Sequence, residues 1–214
     1  MRIKFQKFRF NGFKENTYVI WDEASKETII LDPGCSNEIE QTTLSNFISE
    51  QNLIPTKIIN THCHVDHILG NAFCKKMYQI PLLIHKDEVP VLALAPNDYQ
   101  GYHFDKYEHI IQDNFLEDTL FLNDIQFDIW HLPGHSPGHI ALLNKEEKKC
   151  FTGDVLFNSH IGITNFHFGD KNAMKKSLNK LMELDDDVEI FPGHGFSSTI
   201  AHERDTVKNY ILQE

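Results

Sequence analysis

Cysteine is scarce in this 214-residue chain. The four present, Cys35, Cys63, Cys74 and Cys150, include no CxxC pair. That spacing argues against a disulfide framework and fits a reducing compartment, so a cytoplasmic location is expected. Long apolar runs are missing too. Nowhere do about 18 apolar residues follow one another, which excludes a membrane-spanning helix of the usual kind. The opening MRIKFQKFRF lacks the continuous apolar stretch of a secretory leader, and none is expected. Positive charge is short: 20 Lys and Arg stand against 31 Asp and Glu, a net charge of −11. Nucleic-acid binding leans on clustered cations, so a small-molecule partner is expected instead. No linker or low-complexity stretch divides the chain, and a single domain over residues 1–214 is expected.

The hydrophobic pattern predicts strands interleaved with helices. Ile3, Phe5, Phe8 and Phe10 alternate with polar residues, with a slip near Gln6 that suggests a bulge or two short strands. Residues 17–21, 28–31, 57–60 and 81–84 read as further strands. Ser36 is placed as the cap of a helix whose apolar face holds Ile39, Leu44, Phe47 and Ile48, with Pro55 closing that unit. A helix is expected over 71–78. Residues 86–118 are charged and aromatic with poor periodicity, and read as an irregular insertion, either a lid over a site or a surface excursion. Tyr99, Tyr102 and Phe104 are candidates for its packing or for a pocket mouth. Hairpins are expected at 119–132 and 139–152, then a helix at 171–184, a strand at 188–191 and a closing helix at 199–212. Strands in runs with helices outside them predict a sheet-on-sheet core flanked by helices.

Histidine is abundant, with 13 in the chain, and it is concentrated. Residues 61–67 read THCHVDH. His62 and His64 are two apart and share a side if the strand continues. Asp66 and His67 follow at the turn. The stretch is either a metal cluster or a polar, histidine-rich turn. Three imidazoles and a carboxylate suit zinc, and also iron or manganese. Cys63, between two ligands, is expected to point away. Three other segments repeat the pattern of an apolar strand, then Gly or Pro, then a possible ligand: LPGHSPGH at 132–139, FTGDVLF at 151–157 and FPGHG at 191–195. Adding His135, Asp154 and His194 gives five histidines and two aspartates. That suffices for two ions of three protein ligands each with one carboxylate shared, leaving room for water.

THCHVDH, GHSPGH, GDVLF and PGHG, in this order, resemble the metallo-β-lactamase superfamily along nearly the whole chain. LDPG at 31–34 adds to the match. The sequence looks closest to the glyoxalase II-like (hydroxyacylglutathione hydrolase-like) branch. The resemblance implies an α/β (α+β) protein, a four-layer αββα sandwich with two divalent metal ions at one edge, Zn2+ first, with Fe or Mn as options. It implies that His62, His64 and His135 hold the first metal, that Asp66, His67 and His194 hold the second, and that Asp154 bridges them. Asp32 would orient part of the first cluster, and His139 would either support the site or cap the next strand. His85 and His131 are expected to be structural, and His103, His109 and His202 to lie on the surface.

The chemistry implied is hydrolysis by a metal-activated hydroxide, with Asp66 and Asp154 as the catalytic carboxylates and no Ser or Cys nucleophile. A thioester of the S-2-hydroxyacylglutathione kind is the expected substrate. A mononuclear iron persulfide dioxygenase and a hydrolase opening lactone or β-lactam rings are the alternatives. Two departures bear on substrate. At 158–170 the chain reads NSHIGITNFHFGD, so His160, Ile163, Asn165 and His167 stand where the branch commonly has Ser, Arg, Asp and Pro. Exchanging Arg for Ile removes a cation that pairs with anionic groups. The residues after His194 are also too few for the C-terminal helical domain that helps full-length glyoxalase II bind glutathione, so that domain is not expected.

Overall fold

A computed structural model of the chain describes residues 2–98 and 107–212. The first sheet collects β1 (Ile3–Phe10), β2 (Glu15–Asp22), β3 (Glu27–Leu31), β4 (Ile54–Ile59), β5 (Leu82–Ile84) and β6 (Asn114–Phe115), in that order. Its first three strands are antiparallel and the rest parallel. Helices α1 (Glu38–Glu50), α2 (Val65–Ile68), α3 (Asn71–Tyr78) and α4 (Val89–Asp98) fall among its connections. The second sheet is built from β7 (Thr119–Leu122), β8 (Ile125–His131), β9 (Ile140–Asn144) and β10 (Lys149–Gly153). A small ribbon of β11 (Leu156–Phe157) and β12 (His160–Ile161) and helix α5 (Lys171–Leu181) follow. Strands β13 (Glu189–Pro192) and β14 (Ser198–Thr199) then complete the sheet in the order β14-β13-β10-β9-β8-β7, and α6 (Ile200–Leu212) closes the chain.

The period of two along each strand divides its side chains between two cores. In β2, Tyr18 and Ile20 face the space between the sheets, where they meet Phe127, Leu142, Phe151 and Phe191. Val19, between them, faces the other way and packs with Ile30, Ile58 and the helical Leu44, Ile48, Cys74 and Leu92. On the far side of the second sheet, Ala141, Leu143 and Cys150 pack against Met174, Leu178 and Val207 of α5 and α6. Four layers result, helix–sheet–sheet–helix, as expected. Tyr18 anchors the middle, its hydroxyl donating to the Pro192 carbonyl at 2.8 Å, so the phenol is buried without an unpaired polar atom.

Several local expectations need correction. Strand β1 has no bulge: its register with β2 runs unbroken from Ile3↔Asp22 to Phe10↔Glu15. The apparent slip arises because much of β1 is only half-buried, so alternation is not enforced along it. The cap of α1 is Asn37, which accepts from the amides of Ile39 and Glu40; Ser36 instead donates its hydroxyl to Glu40. Ile39 is 80% exposed, outside the apolar face that Leu44 and Ile48 form. Pro55 sits inside β4, at a register shift against β3, where its missing amide proton is tolerated. Helix α5 stops at Leu181, three residues early. The segment 86–118 is more regular than expected. It carries a 3-10 turn at Lys86–Glu88, helix α4 and strand β6; Tyr99, Tyr102, His103 and Phe104 lie outside the described residues.

Candidate metal centre

Every proposed ligand follows the end of a strand. Residues 60–64 leave β4 and lead into α2, for which His64 is the extended N-cap residue; its imidazole makes no capping bond. Asp66 and His67 lie within α2. His135 follows β8, Asp154 follows β10 and His194 follows β13. These ends meet at one edge of the sandwich. One ligand atom from each of His62, His64 and His135 lies within 4.8 Å of the others, and the same holds for Asp66, His67 and His194. Asp154 stands between the two groups. Its Oδ2 is 3.6 Å from His135 Nε2, 4.0 Å from His62 Nε2 and 3.4 Å from His194 Nε2, and its Oδ1 is 3.5 Å from His67 Nε2. Asp66 Oδ2 is 3.2 Å from His194 Nε2 and 3.7 Å from His67 Nε2. The structure therefore brings all seven sequence-predicted ligands together.

The proton inventory explains which ring nitrogen of each histidine faces inward. His135 Nδ1 donates to the Ile163 carbonyl at 2.8 Å and His194 Nδ1 to the Phe13 carbonyl at 3.2 Å. His67 Nδ1 donates to Asp32 Oδ2 at 3.1 Å. Thr61 spends its hydroxyl proton on Asp32 Oδ2 at 2.6 Å, so its oxygen accepts from His62 Nδ1 at 3.1 Å. In each neutral ring the Nε2 lone pair is left facing the centre. His64 turns its Nδ1 instead, 2.9 Å from His135 Nε2.

Divalent metals are what this donor set fits. His62 Nε2, His67 Nε2 and Asp154 Oδ1 are buried without any hydrogen-bond partner. Buried polar atoms are rarely left so, because the desolvation cost is not recovered. Here three such atoms converge on one centre, as ligand atoms do. His62, His64 and His135 with Asp154 would hold one cation, and Asp66, His67 and His194 with Asp154 the other.

The two triads differ electrostatically. Burial drives His62 well below the usual imidazole range, helped by His67; burial and the neighbouring His135 take His64 down to about 3; burial also lowers His135. Burial opposes charge on His67 and His194 as well, but carboxylates outweigh it. Asp154 and Asp66 raise His67 well above its ordinary value and hold His194 at about 9. Conversely, burial would raise Asp154 and Asp66, but His67 and His194 pull both down.

Supporting groups surround these ligands. Asp32 takes the Thr61 amide at 2.6 Å as well as the Thr61 hydroxyl and His67, so its oxygens are committed to orienting ligands. His139 lies stacked on His62, ring centres 4.9 Å apart, and its Nε2 accepts the Asp154 amide at 2.9 Å. It thus positions the shared carboxylate. Gly193 is required by contact: a Cβ there would come within 2.2 Å of Asp154 Oδ1.

Sequence reading missed two carboxylates. Glu88, fully buried, accepts the Cys63 amide at 2.8 Å, the Ser136 hydroxyl at 2.6 Å and the Gly138 amide at 2.7 Å. It ties the loop bearing His62 and His64 to the loop bearing His135. Glu15 is also fully buried, 4.0 Å from His67 Nδ1, with its backbone bridged to that of His194; burial pushes its carboxyl well above the usual range. Neither had a signal beyond being one acid among 31. Cys63 is buried in the apolar core and takes no part in either triad. His85 and His131 stack at 4.1 Å, and His131 Nε2 donates to the Pro137 carbonyl. His109 and His202 are exposed, as expected.

The centre opens into a cavity of about 1020 Å³ lined by His64, Asp66, His135, Asp154 and His194 together with Phe13, Phe157, Ile163, Phe166 and Phe196. His160 and His167 also line it.

The metallo-β-lactamase superfamily model matches residues 11–194, a span that begins before β2 and ends on His194. The chain belongs to that superfamily. It is 35% identical to hydroxyacylglutathione hydrolase GloC of Haemophilus influenzae over 198 residues, covering 90% of this chain and 91% of that protein. A hydroxyacylglutathione hydrolase of Pelagibacter ubique is 28% identical, with 88% and 72% covered. These relatives support the glyoxalase II-like branch. Among solved structures, the BLEG-1 B3 metallo-β-lactamase superposes with a TM-score of 0.85 at 30% identity, covering 94% of this chain and 97% of that one. TTHA1623, in a di-iron-bound form, gives 0.80 at 29%, with 94% and 98% covered. Among the described residues, no helix is long and apolar enough to cross a membrane.

Proposed function

We propose that the chain is a binuclear metallohydrolase that cleaves a thioester; the names of its hydroxyacylglutathione hydrolase relatives make an S-2-hydroxyacylglutathione the first thioester to assay. The observation that carries this reading is the position of Asp154, within 4.0 Å of ligand nitrogens from both triads. Zinc is the first choice of metal; the di-iron form of TTHA1623 keeps iron in view. When bound, two such cations supply Lewis acidity that lowers the pKa of water and polarises a carbonyl.

The chain's own residues do the rest. Asp66 lines the cavity and presents a carboxylate oxygen that accepts a hydrogen bond from an attacking water, orienting it. Asp154 keeps the two triads at a fixed separation, with His139 holding its backbone. Backbone carbonyls of Ile163 and Phe13 fix the ring orientations of His135 and His194. A covalent route through sulfur has no support. All four thiols are buried, and burial pushes those of Cys63 and Cys150 up, the latter to about 12. Ser136 is engaged with Glu88. A thiolate leaving group needs no strong acid, which suits a site whose nearest carboxylates are ionised.

Elemental analysis of the purified protein joined to an assay on S-lactoylglutathione tests this. About two ions per chain with thioester cleavage is expected. A single iron with oxygen consumption on a glutathione persulfide would overturn the reading. Two ions without thioester cleavage would move it to lactones and β-lactams.

A further inference from the structure

Beside the polar Asn97, Asn158, His160 and His167, much of the cavity wall is apolar, and that part is built onto the proposed ligands. Ile163, whose carbonyl fixes His135, is 59% exposed. The Phe166 ring meets His64 and His135 edge-on, at 5.0 and 5.1 Å between ring centres. On the other side Phe13, whose carbonyl fixes His194, is 43% exposed, and Phe196, two residues after His194, is 74% exposed. Phe157 lies 6.2 Å from the His194 ring. All five line the same cavity. Exposed aromatic and aliphatic side chains gathered in one concave site, beside a few polar groups, mark the binding of an apolar ligand.

Charge points the same way. Among the described residues lining the cavity there is no Lys or Arg, and the only carboxylates are Asp66 and Asp154; Lys7, at the rim, spends its ammonium on the Gly195 carbonyl at 2.8 Å. A glutathione arm carries two carboxylates and one ammonium group. Recognition of carboxylates depends on Arg or Lys partners, and at the position where Arg is common in the branch this wall has Ile163. The chain's net charge of −11 adds no attraction for an anion.

We propose that this cavity holds an uncharged, apolar chain of the substrate, an aliphatic or aromatic acyl group next to the carbonyl that is cleaved, in preference to a short acyl group on a charged thiol. The inference rests on the thioester hydrolase reading above. Its apolar part stands on the cavity wall alone.

The test uses the metal-loaded protein and one uncharged thiol, N-acetylcysteamine, esterified with acetyl, butyryl, hexanoyl and octanoyl groups, with S-lactoylglutathione alongside. Burial of each added methylene should raise kcat/KM about two- to fourfold, and the longer esters should exceed S-lactoylglutathione. Phe166→Ala should flatten the length dependence at unchanged metal content. Ile163→Arg should shift preference towards S-lactoylglutathione at least tenfold. A flat or falling series with S-lactoylglutathione best would overturn the proposal. If no thioester is cleaved, the hydrolase reading fails, and calorimetry with the product-like acids decides the rest. Octanoate binding more tightly than butyrate sustains an apolar chain site; equal binding of the two overturns it.

Discussion

The carboxylate of Glu88 takes the amide proton of Cys63 at 2.8 Å, one residue from each of the proposed ligands His62 and His64. Its other oxygen takes Ser136 and Gly138, which follow His135 in the same loop. One buried side chain thus fixes the spacing of the whole first triad from outside it. Glu88→Ala leaves three buried donors unpaired, which costs on the order of 3 kcal/mol. The expected result is a lower urea midpoint and selective loss of one cation, that held by His62, His64 and His135. Elemental analysis after dialysis against a weak chelator checks it. Wild-type stoichiometry in a merely less stable variant would remove the positioning role.

The two triads should fill over different pH ranges. Metals bind neutral imidazole. His62, His64 and His135 are held below their ordinary range, so near neutrality no proton competes for the first triad. His67 is raised and His194 stands at about 9, so in the metal-free chain both carry protons that a second cation must displace. Second-site affinity should therefore climb with pH up to about 9, by as much as about tenfold per unit for each displaced proton, while first-site affinity stays flat. The sign for the metal-free fold is opposite. A histidine whose folded pKa is raised stabilises the fold fully below its unfolded value and loses that contribution as pH rises through about 9. Metal content measured from pH 6 to 9, with melting of the metal-free chain over the same range, tests both; simultaneous filling of the sites at every pH contradicts the assignment.

How much of this was legible in the sequence depends on whether a residue's neighbours betray its task. His62, His64, Asp66, His67, His135, Asp154 and His194 announced themselves because each sits where an apolar strand gives way to glycine, proline or a turn. The four layers were legible from the strand periods and the resemblance. Glu88 and Glu15 were not, because an acid in a charged stretch reads as solvated until long-range packing buries it. Ser36 read as the cap of α1, but Glu40 claims its hydroxyl and amide, a contact no local pattern announces, and Asn37 caps the helix instead. The ribbon of β11 and β12, two residues a side, is too short for any periodicity, yet its Phe157, His160 and Ile161 line the cavity.

Gly193 tests the shared position of Asp154. The nearest atom to a Cβ at Gly193 would be Asp154 Oδ1, at 2.2 Å, with His67 Cε1 at 2.7 Å. Contacts under about 3 Å force a displacement, and a ligand shifted by about 1 Å forfeits much of its geometry. Gly193→Ala should lower both metal content and kcat, the latter by about a hundredfold. Gly12→Ala, where nothing lies within 4 Å, is the matched control and should behave as wild type. Full metal content in the Gly193 variant would show that Asp154 does not hold the place assigned to it.

Asp32→Asn separates orientation from ligation. The substitution keeps size and suits the backbone, since Asp32 has a φ of 48° and Asn tolerates that region. What it changes is the hydrogen-bond inventory. Asp32 accepts from the Thr61 amide, the Thr61 hydroxyl and His67 Nδ1, all donors, so an NH2 group at either oxygen position faces a donor. His67 then loses the acceptor that holds its Nδ1–H and turns its Nε2 towards the centre. Groups in this role typically cost 10- to 100-fold in metal affinity when replaced, roughly as zinc enzymes behave. The larger loss should fall on the site of Asp66, His67 and His194, because Asp32 bonds His67 directly and reaches His62 only through Thr61. Competition titration with a chromogenic chelator resolves the two sites, and an equal loss at both would mean that Asp32 supports the edge as a whole rather than His67.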